Sequence, residues 1–250
     1  MSLSSVVDVI LSRRSIRRYA RASIPLEHLN LIIEAGRRAP TDATLQLWTA
    51  IRITDLDLRA RIAEAIRQPH VLEASEFFIF IADLYRPMKL LEYRGYRMGR
   101  VEELLLVFAA IDAALAAENM IIAAHSLGYG SCVIGGIQSI VGELTTWLKL
   151  PEKTYPLFGL TIGIPAENPP MRPRLPIDIL FHENSYRVYS EEDLERAFKS
   201  MEFQAWGDWV KVLRRYLAEG GIFEVRNNYF LRVVRERGLA QENPRRTREV

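Results

Sequence analysis

Cys132 is the only cysteine among 250 residues, which excludes a disulfide framework and a multi-thiolate metal cluster within one chain and suits a reducing cytoplasm. Four histidines, His28, His70, His125 and His182, share no ligand spacing, so no metal site is expected. Neither sign of charge dominates. The 33 basic and 31 acidic residues leave a formal charge of +2, too little to hold a polyanion nonspecifically, and nucleic-acid binding is disfavoured. The opening MSLSSVVDVILSRRSIRR has no basic lead, and Asp8 breaks its apolar run, so it does not read as a secretion signal. The most apolar stretch, Leu104 to Ala124, is cut by Asp112, Glu118 and Asn119, short of the roughly 18 uninterrupted apolar residues of a membrane span. No repeat, low-complexity run, Gly/Ser linker, Gly-x-Ser-x-Gly, Walker loop or helix-turn-helix pattern is found.

What remains is a foldable chain, 49% hydrophobic and 26% charged, long enough to bury a core without staples. Ser4 or Ser5 can cap a helix to about Ser12, and Pro25 opens another through Arg38, stopped by Pro40. Thr41 to Gln46 is a polar loop. Trp48 to Thr54 alternates like a strand, Leu56 to Ile66 is helical, and Glu76 to Asp83 is a dense apolar strand of the buried kind. Residues 101 to 127 form one long helix closed by Gly128, apolar on nearly every side, as a helix between its own core and a partner subunit would be. Tyr129 to Ile137 is a strand with a glycine pair, Ile140 to Leu150 a helix, and Pro156 to Pro165 a strand. Ala166 to Arg174 is an irregular, proline-rich crossing. Helices are expected within Glu191–Ser200, Trp206–Glu219 and Glu224–Arg237, with a frayed tail at 241–250. One α+β domain is favoured.

Three clusters bear on chemistry. Arg13-Arg14-Ser15-Ile16-Arg17-Arg18-Tyr19 gathers four arginines and a hydroxyl, which is either a phosphate clamp or a solvated basic face at a helix end. Gly128-Tyr-Gly-Ser-Cys-Val-Ile-Gly-Gly fails as a dinucleotide fingerprint because it follows a helix and has Val133 at the third glycine position. Its Gly135 and Gly136 can still let a flat ligand approach the backbone, or simply make a turn. Arg172 and Arg174 sit on a proline-fixed backbone, as anion ligands or as surface ion-pair partners. Cys132, in an apolar strand, reads as packing material.

Together the pieces resemble the FMN-dependent nitroreductase family, most closely its branch of NADPH-oxidising nitroreductases and flavin reductases. The matching segments are Arg13 to Tyr19, Ala39-Pro-Thr-Asp-Ala-Thr-Leu-Gln, Gln68-Pro-His-Val, Ala123-Ala-His-Ser-Leu-Gly-Tyr-Gly, Ile134-Gly-Gly, and Leu157-Phe-Gly-Leu through Arg172-Pro-Arg-Leu-Pro to His182-Glu-Asn-Ser-Tyr. They cover residues 10 to 187 in order. The resemblance implies a three-layer sandwich, a mixed and mostly antiparallel sheet flanked by helices, with a long central dimer helix. It implies an FMN-binding core over 1–187 and a C-terminal helical extension of the same domain over 188–250.

By the same resemblance, Arg13, Arg14, Ser15 and Arg17 hold the FMN phosphate and ribityl chain, with Arg172 and Arg174 closing on the phosphate. Gln68 lies near the polar edge of the ring, Ile134, Gly135 and Gly136 offer backbone beside it, and Pro40, Thr41, Asp42 and Thr44 reach it from the neighbouring subunit. Asp42 is a departure, a carboxylate where the family usually has small hydroxyl residues. Phe203-Gln-Ala stands where the branch has an Asn and Arg loop for NADPH, so the donor is left as NAD(P)H. The implied function is a homodimeric oxidoreductase passing hydride from NAD(P)H through FMN to nitroaromatic, quinone or flavin acceptors in a ping-pong cycle. No acid or base residue is assigned. The alternatives are a specialised reductive dehalogenase or flavin-fragmenting enzyme of the same fold, or a non-catalytic flavin carrier; the physiological acceptor is not legible.

Overall fold

The computed structural model describes residues 5–202 and 208–240; the expectations for Ser4, Phe203-Gln-Ala, Trp206 and the 241–250 tail lie outside these residues. It forms two compact units. One comprises the chain up to Pro169 together with the chain from Phe230 onward, and the other is Pro170–Tyr229. The break after Pro169 falls within the proline-rich crossing segment. The first unit also includes the second half of the C-terminal helix, from Phe230, where Val233 and Val234 are buried along with Leu239.

In the first unit, Ser5 and Asp8 make a reciprocal capping box that starts α1 (Val6–Ser12). Pro25 precedes α2 (Leu26–Arg37). Then come β1 (Trp48–Arg52), α3 (Leu56–Ala65), the one-turn α4 (His70–Glu73), β2 (Glu76–Asp83), α5 (Tyr85–Tyr93) and the 25-residue α6 (Glu102–Ser126). β3 (Gly130–Ile134), α7 (Val141–Trp147) and β4 (Thr154–Gly163) complete the sheet and its cover. The second unit holds α8 (Ile177–Leu180), α9 (Glu191–Ser200) and α10 (Trp209–Leu217). α11 (Ile222–Glu236) follows. The strand expected to reach Ile137 stops at Ile134, because Gly135–Ser139 tighten into a 3-10 turn.

The sheet order is β1-β2-β4-β3, and all three pairings are antiparallel. The parallel component is an isolated bridge, Ser15 to Ser131. β2 is buried along its whole length, and its alternation divides two cores. Phe78 and Phe80 pack with Leu160 and Ile162 against α2 and α6. Phe77, Ile79 and Ile81 pack on the other face with Ile62, Ile137 and Leu144, over α3 and α7. Helices therefore cover both faces of one sheet.

α6 carries the α2 side on small residues, with Ala109, Ala113, Ala116, Ala117 and Ala124 buried. The approach is closest at Gly36, where a Cβ would lie 2.7 Å from Met120 Cγ and 3.3 Å from the Ala116 carbonyl oxygen. The opposite stripe of α6 stays open. Leu104, Val107, Ile111 and Leu115, at i, i+3, i+7 and i+11, are 56%, 56%, 50% and 39% exposed. By length and composition alone α6 could cross a bilayer. Its alanine stripe, packed on α2 and the sheet, is what a core helix with a second, unpartnered apolar face shows.

Candidate functional site

After α1 the chain does not turn into solvent but runs as an extended strap along the β3 edge of the sheet. Ile16 N–H donates to the Ser131 carbonyl at 2.9 Å, and Ala20 N–H to the Ile164 carbonyl at 2.9 Å. Ile16 and Tyr19 are buried beneath it. The Tyr19 hydroxyl donates to the Ile16 carbonyl at 2.7 Å and lies 2.9 Å from Thr161 Oγ1, and burial pushes its pKa well above the ordinary value. Close contact at β3 requires Gly130, because a Cβ there would sit 2.5 Å from Ile16 Cγ1. The strap is fixed from inside, so Arg13, Arg14 and Ser15 stay half-buried and Arg17 and Arg18 exposed.

The crossing segment after β4 meets this strap. Glu167 Oε1 accepts from the Arg17 and Arg18 backbone N–H groups at 2.5 and 3.1 Å, and the Arg14 guanidinium donates to Asn168 Oδ1. His125, on α6, has its Nε2 3.0 Å from Ser131 Oγ. Burial, and secondarily the Arg13 charge, push the His125 pKa down to about 4.

At the far end of β3, Gly135 opens the 3-10 turn, and a Cβ on it would meet nothing within 4 Å. Gly136 carries Gln68 directly above it: a Cβ there would lie 2.5 Å from Gln68 Nε2. Gln68 N–H donates to the Ala63 carbonyl at 2.9 Å, after Arg67 takes a positive φ of 55°. Arg59, buried on α3, pins the following segment through the carbonyls of Val71, at 2.6 Å, and Ala74. That segment carries His70, which is buried with no hydrogen-bond partner for Nε2. Its pKa is lowered by burial and then by Arg17. With a strand rise of about 3.3 Å per residue, the cationic end at Ser131 and the amide end at Gly135 are about 13 Å apart. Such a strip suits an elongated anionic ligand with a flat head.

The other expected residues are held elsewhere. Pro40, Thr41, Asp42 and Thr44 belong to the loop before β1, which contains a single 3-10 turn, Asp42–Thr44. Asp42 is exposed. Ala43, Thr44 and Gln46 have φ of 43°, 59° and 54°, each costing about 1–3 kcal/mol at a non-glycine residue. The loop is clasped by Asp112 of α6 and by Arg86 of α5. With α5 it borders an open cavity of about 930 Å³ that includes Trp48, Arg94 and Tyr96. In the second unit, Arg174 Nη1 donates to the carbonyls of Pro173 at 2.9 Å and Arg172 at 3.3 Å. No cluster of three or more His, Cys, Asp or Glu fit for a metal occurs among the described residues.

Sequence reasoning passed over Asp112, Arg59 and Arg86. Asp112 registered only as a break in an apolar run. A long side chain on a helix gives no local sign of which carbonyls it will reach.

His125 gives an acid-stability prediction. Its pKa falls from about 6.5 unfolded to about 4 folded, so between those values the unfolded chain binds more protons and stability is lost as pH falls. Because the ring is only partly buried, about 1–2 kcal/mol is expected from it. Urea midpoints from pH 7 to 4.5 should drop less in His125→Gln than in the unaltered protein; parallel curves would show that the imidazole carries none of the effect.

A family model described as "Nitroreductase family" matches residues 10–164. Over 193 residues the chain is 36% identical to "FMN reductase (NADPH)" of Bacillus subtilis, covering 76% of this chain and 78% of that one. Over 195 residues it is 37% identical to "Oxygen-insensitive NADPH nitroreductase" of Salmonella typhimurium, with coverages of 78% and 80%. Among solved structures, nitroreductase A from Vibrio parahaemolyticus superposes with a TM-score of 0.86 at 29% identity, covering 96% of this chain and all of that one. The NADPH:FMN oxidoreductase from Vibrio harveyi, solved with NAD+, gives 0.83 at 30% identity, with coverages of 93% and 97%.

Proposed function

Because the chain belongs to the nitroreductase family, we propose that it is a homodimeric NAD(P)H oxidoreductase that binds one FMN per chain. The observation that carries this reading is the arginine strap pinned along β3, cationic at Arg13 to Arg17 and open at Gly135. The donor set fits FMN: guanidinium groups for a dianionic phosphate, the Ser15 hydroxyl for a polyol, and side-chain-free backbone with the Gln68 amide for a planar ring. Arg13, Arg14, Ser15 and Arg17 would hold the phosphate end, closed by Arg172 and Arg174. Gln68, Ile134, Gly135 and Gly136 would take the ring, with Pro40, Thr41, Asp42 and Thr44 supplied by the second subunit. Bound FMN would supply the redox chemistry, accepting hydride from NAD(P)H and passing electrons to a nitroaromatic, quinone or flavin.

The chain's own part is binding, orientation and electrostatics. Backbone N–H groups at Gly135 and Gly136 and the Gln68 amide would favour negative charge on a ring bound beside them. The arginines would fix the opposite end of such a ligand through its phosphate. We assign neither His70 nor Cys132 as acid or base: the Cys132 side chain is buried, with Sγ 3.5 Å from the Val133 carbonyl oxygen, and His70 Nε2 is buried without a hydrogen-bond partner. Protons would come from water. The cytoplasm, which holds the pyridine nucleotide donor, is its proposed compartment.

One experiment tests the reaction. The purified protein should carry noncovalent FMN and oxidise NADPH or NADH, and double-reciprocal plots at several fixed acceptor concentrations should be parallel, as when two substrates use one site in turn. In flavin-loaded protein, His70→Ala and Cys132→Ala should keep turnover within about tenfold, whereas losing a general acid or base typically costs about 10² to 10⁴. Intersecting plots would require both substrates bound together. FMN bound without nucleotide oxidation would make the protein a carrier.

A further inference from the structure

We propose that Asp112 is a positioning residue that sets the α2–β1 loop for the cofactor of a second copy of this chain. The inference rests on the flavin reading, in which Pro40 to Thr44 serve the neighbouring subunit. Its physical basis lies in one chain. Asp112 is 1% exposed on α6, in a stripe otherwise made of Ala, Met and Ile. Its carboxylate accepts from the Thr41 hydroxyl, from the Asp42 N–H at 3.1 Å and from the Leu47 N–H at 3.1 Å. No cation is among these donors; the charge is held by two backbone dipoles and a hydroxyl.

Thr41 Oγ1 in turn accepts from the Gln46 N–H at 2.9 Å. From the other side the Arg86 guanidinium donates to the Gln46 carbonyl and, at 2.9 Å, to that of Trp48. Between these two clasps lie the left-handed residues Ala43, Thr44 and Gln46, a conformation that non-glycine residues keep only when their surroundings over-determine it. A buried carboxylate is unfavourable for packing in an alanine stripe, and its three acceptor contacts all go to this one loop. The strained loop is thus shaped from outside by α6. Ile111, the residue just before it on the helix, belongs to the exposed apolar stripe. One turn of α6 therefore carries both a dimer-facing side chain and the anchor of the loop, and assembly would present the loop to the partner's site in a preset conformation.

Asp112→Asn keeps the shape, removes the charge and turns an NH2 toward N–H groups. Thr41→Val removes the hydroxyl but leaves the carboxylate two backbone donors. Three quantities are to be measured: amide hydrogen exchange at Asp42, Gln46 and Leu47 by NMR, FMN release from diluted holoenzyme by flavin fluorescence, and mass by light scattering. Asp112→Asn should exchange these amides at least about tenfold faster and release FMN with a dissociation constant raised at least about tenfold, the size of one charge-assisted bond. Thr41→Val should exchange these amides at a rate between those of Asp112→Asn and the unaltered protein; in Asp112→Asn the dimer should persist and kcat at saturating FMN should change by less than about threefold. Faster exchange with unchanged FMN affinity overturns the positioning role, as does unchanged exchange in both variants. If Asp112→Asn does not fold, amide exchange at Gln46 and Leu47 in Thr41→Val decides: unchanged exchange there overturns the clasp. If the unaltered protein binds no FMN, the flavin reading fails and the cofactor role of Asp112 falls with it, while the exchange data still decide whether the carboxylate holds the loop.

Discussion

Arg13→Ala should lose FMN more readily than any substitution of an arginine outside the strap. A charge-assisted contact to phosphate is worth about 1.5–3 kcal/mol, which corresponds to roughly a tenfold to hundredfold rise in the dissociation constant. The strap is pinned through backbone groups of Ile16 and Ala20, so shortening Arg13 removes a cation without releasing the segment. Arg174→Ala should weaken FMN in the same direction. Arg232→Ala is the control, since that side chain is 65% exposed and pairs with Glu236 on its own helix at 3.8 Å. Flavin per chain after gel filtration, and fluorescence recovery on dilution, give the order. Equal flavin content in all three variants would remove the phosphate from this strap. Arg13→Lys separates charge from fork: it should retain part of the affinity, because an ammonium answers the charge but cannot make the paired contact.

The buried strand Glu76–Asp83 was legible because six apolar residues in a row, Phe77 to Ala82, suit a strand covered on both faces, which β2 is. The long helix was legible to within a residue at each end because Gly128, at φ 85°, ends it. α5 was not, since Pro87 stands inside Tyr85–Tyr93; proline is tolerated there because it falls in the first turn. The arginine cluster could be found but not aimed. Its direction is set by main-chain bonds to Ser131 and Ile164 more than a hundred residues away, and main-chain pairing leaves no mark on side-chain identity. Asp112 shows the reverse limit. One acid in an apolar helix has the same local pattern whether it faces water or closes a network, and only the folded loop distinguishes the two. The four exposed apolar residues of α6 belong to a helix that the sequence makes apolar on nearly every side, and its own chain covers only the alanine face.

Ile111→Glu should therefore convert a dimer into monomers and release the cofactor with it. Leu104, Val107, Ile111 and Leu115 form a continuous stripe, and burying it against a symmetric copy brings Ile111 of each chain into the same contact. A carboxylate there is introduced twice per dimer, and an unpaired buried charge costs several kcal/mol. Even about 3 kcal/mol would raise the dissociation constant more than a hundredfold, enough to give monomer at micromolar concentration in light scattering. The monomer should stay folded, because Ile111 lies outside the alanine stripe that packs on α2 and the sheet; far-UV circular dichroism should be unchanged. Flavin retention then separates two architectures. If Pro40 to Thr44 complete the site of the other subunit, monomeric Ile111→Glu loses FMN although every residue of its own strap is intact. A monomer that holds FMN as tightly as the unaltered protein would mean that each site is complete within one chain, and the α2–β1 loop would have to be reassigned.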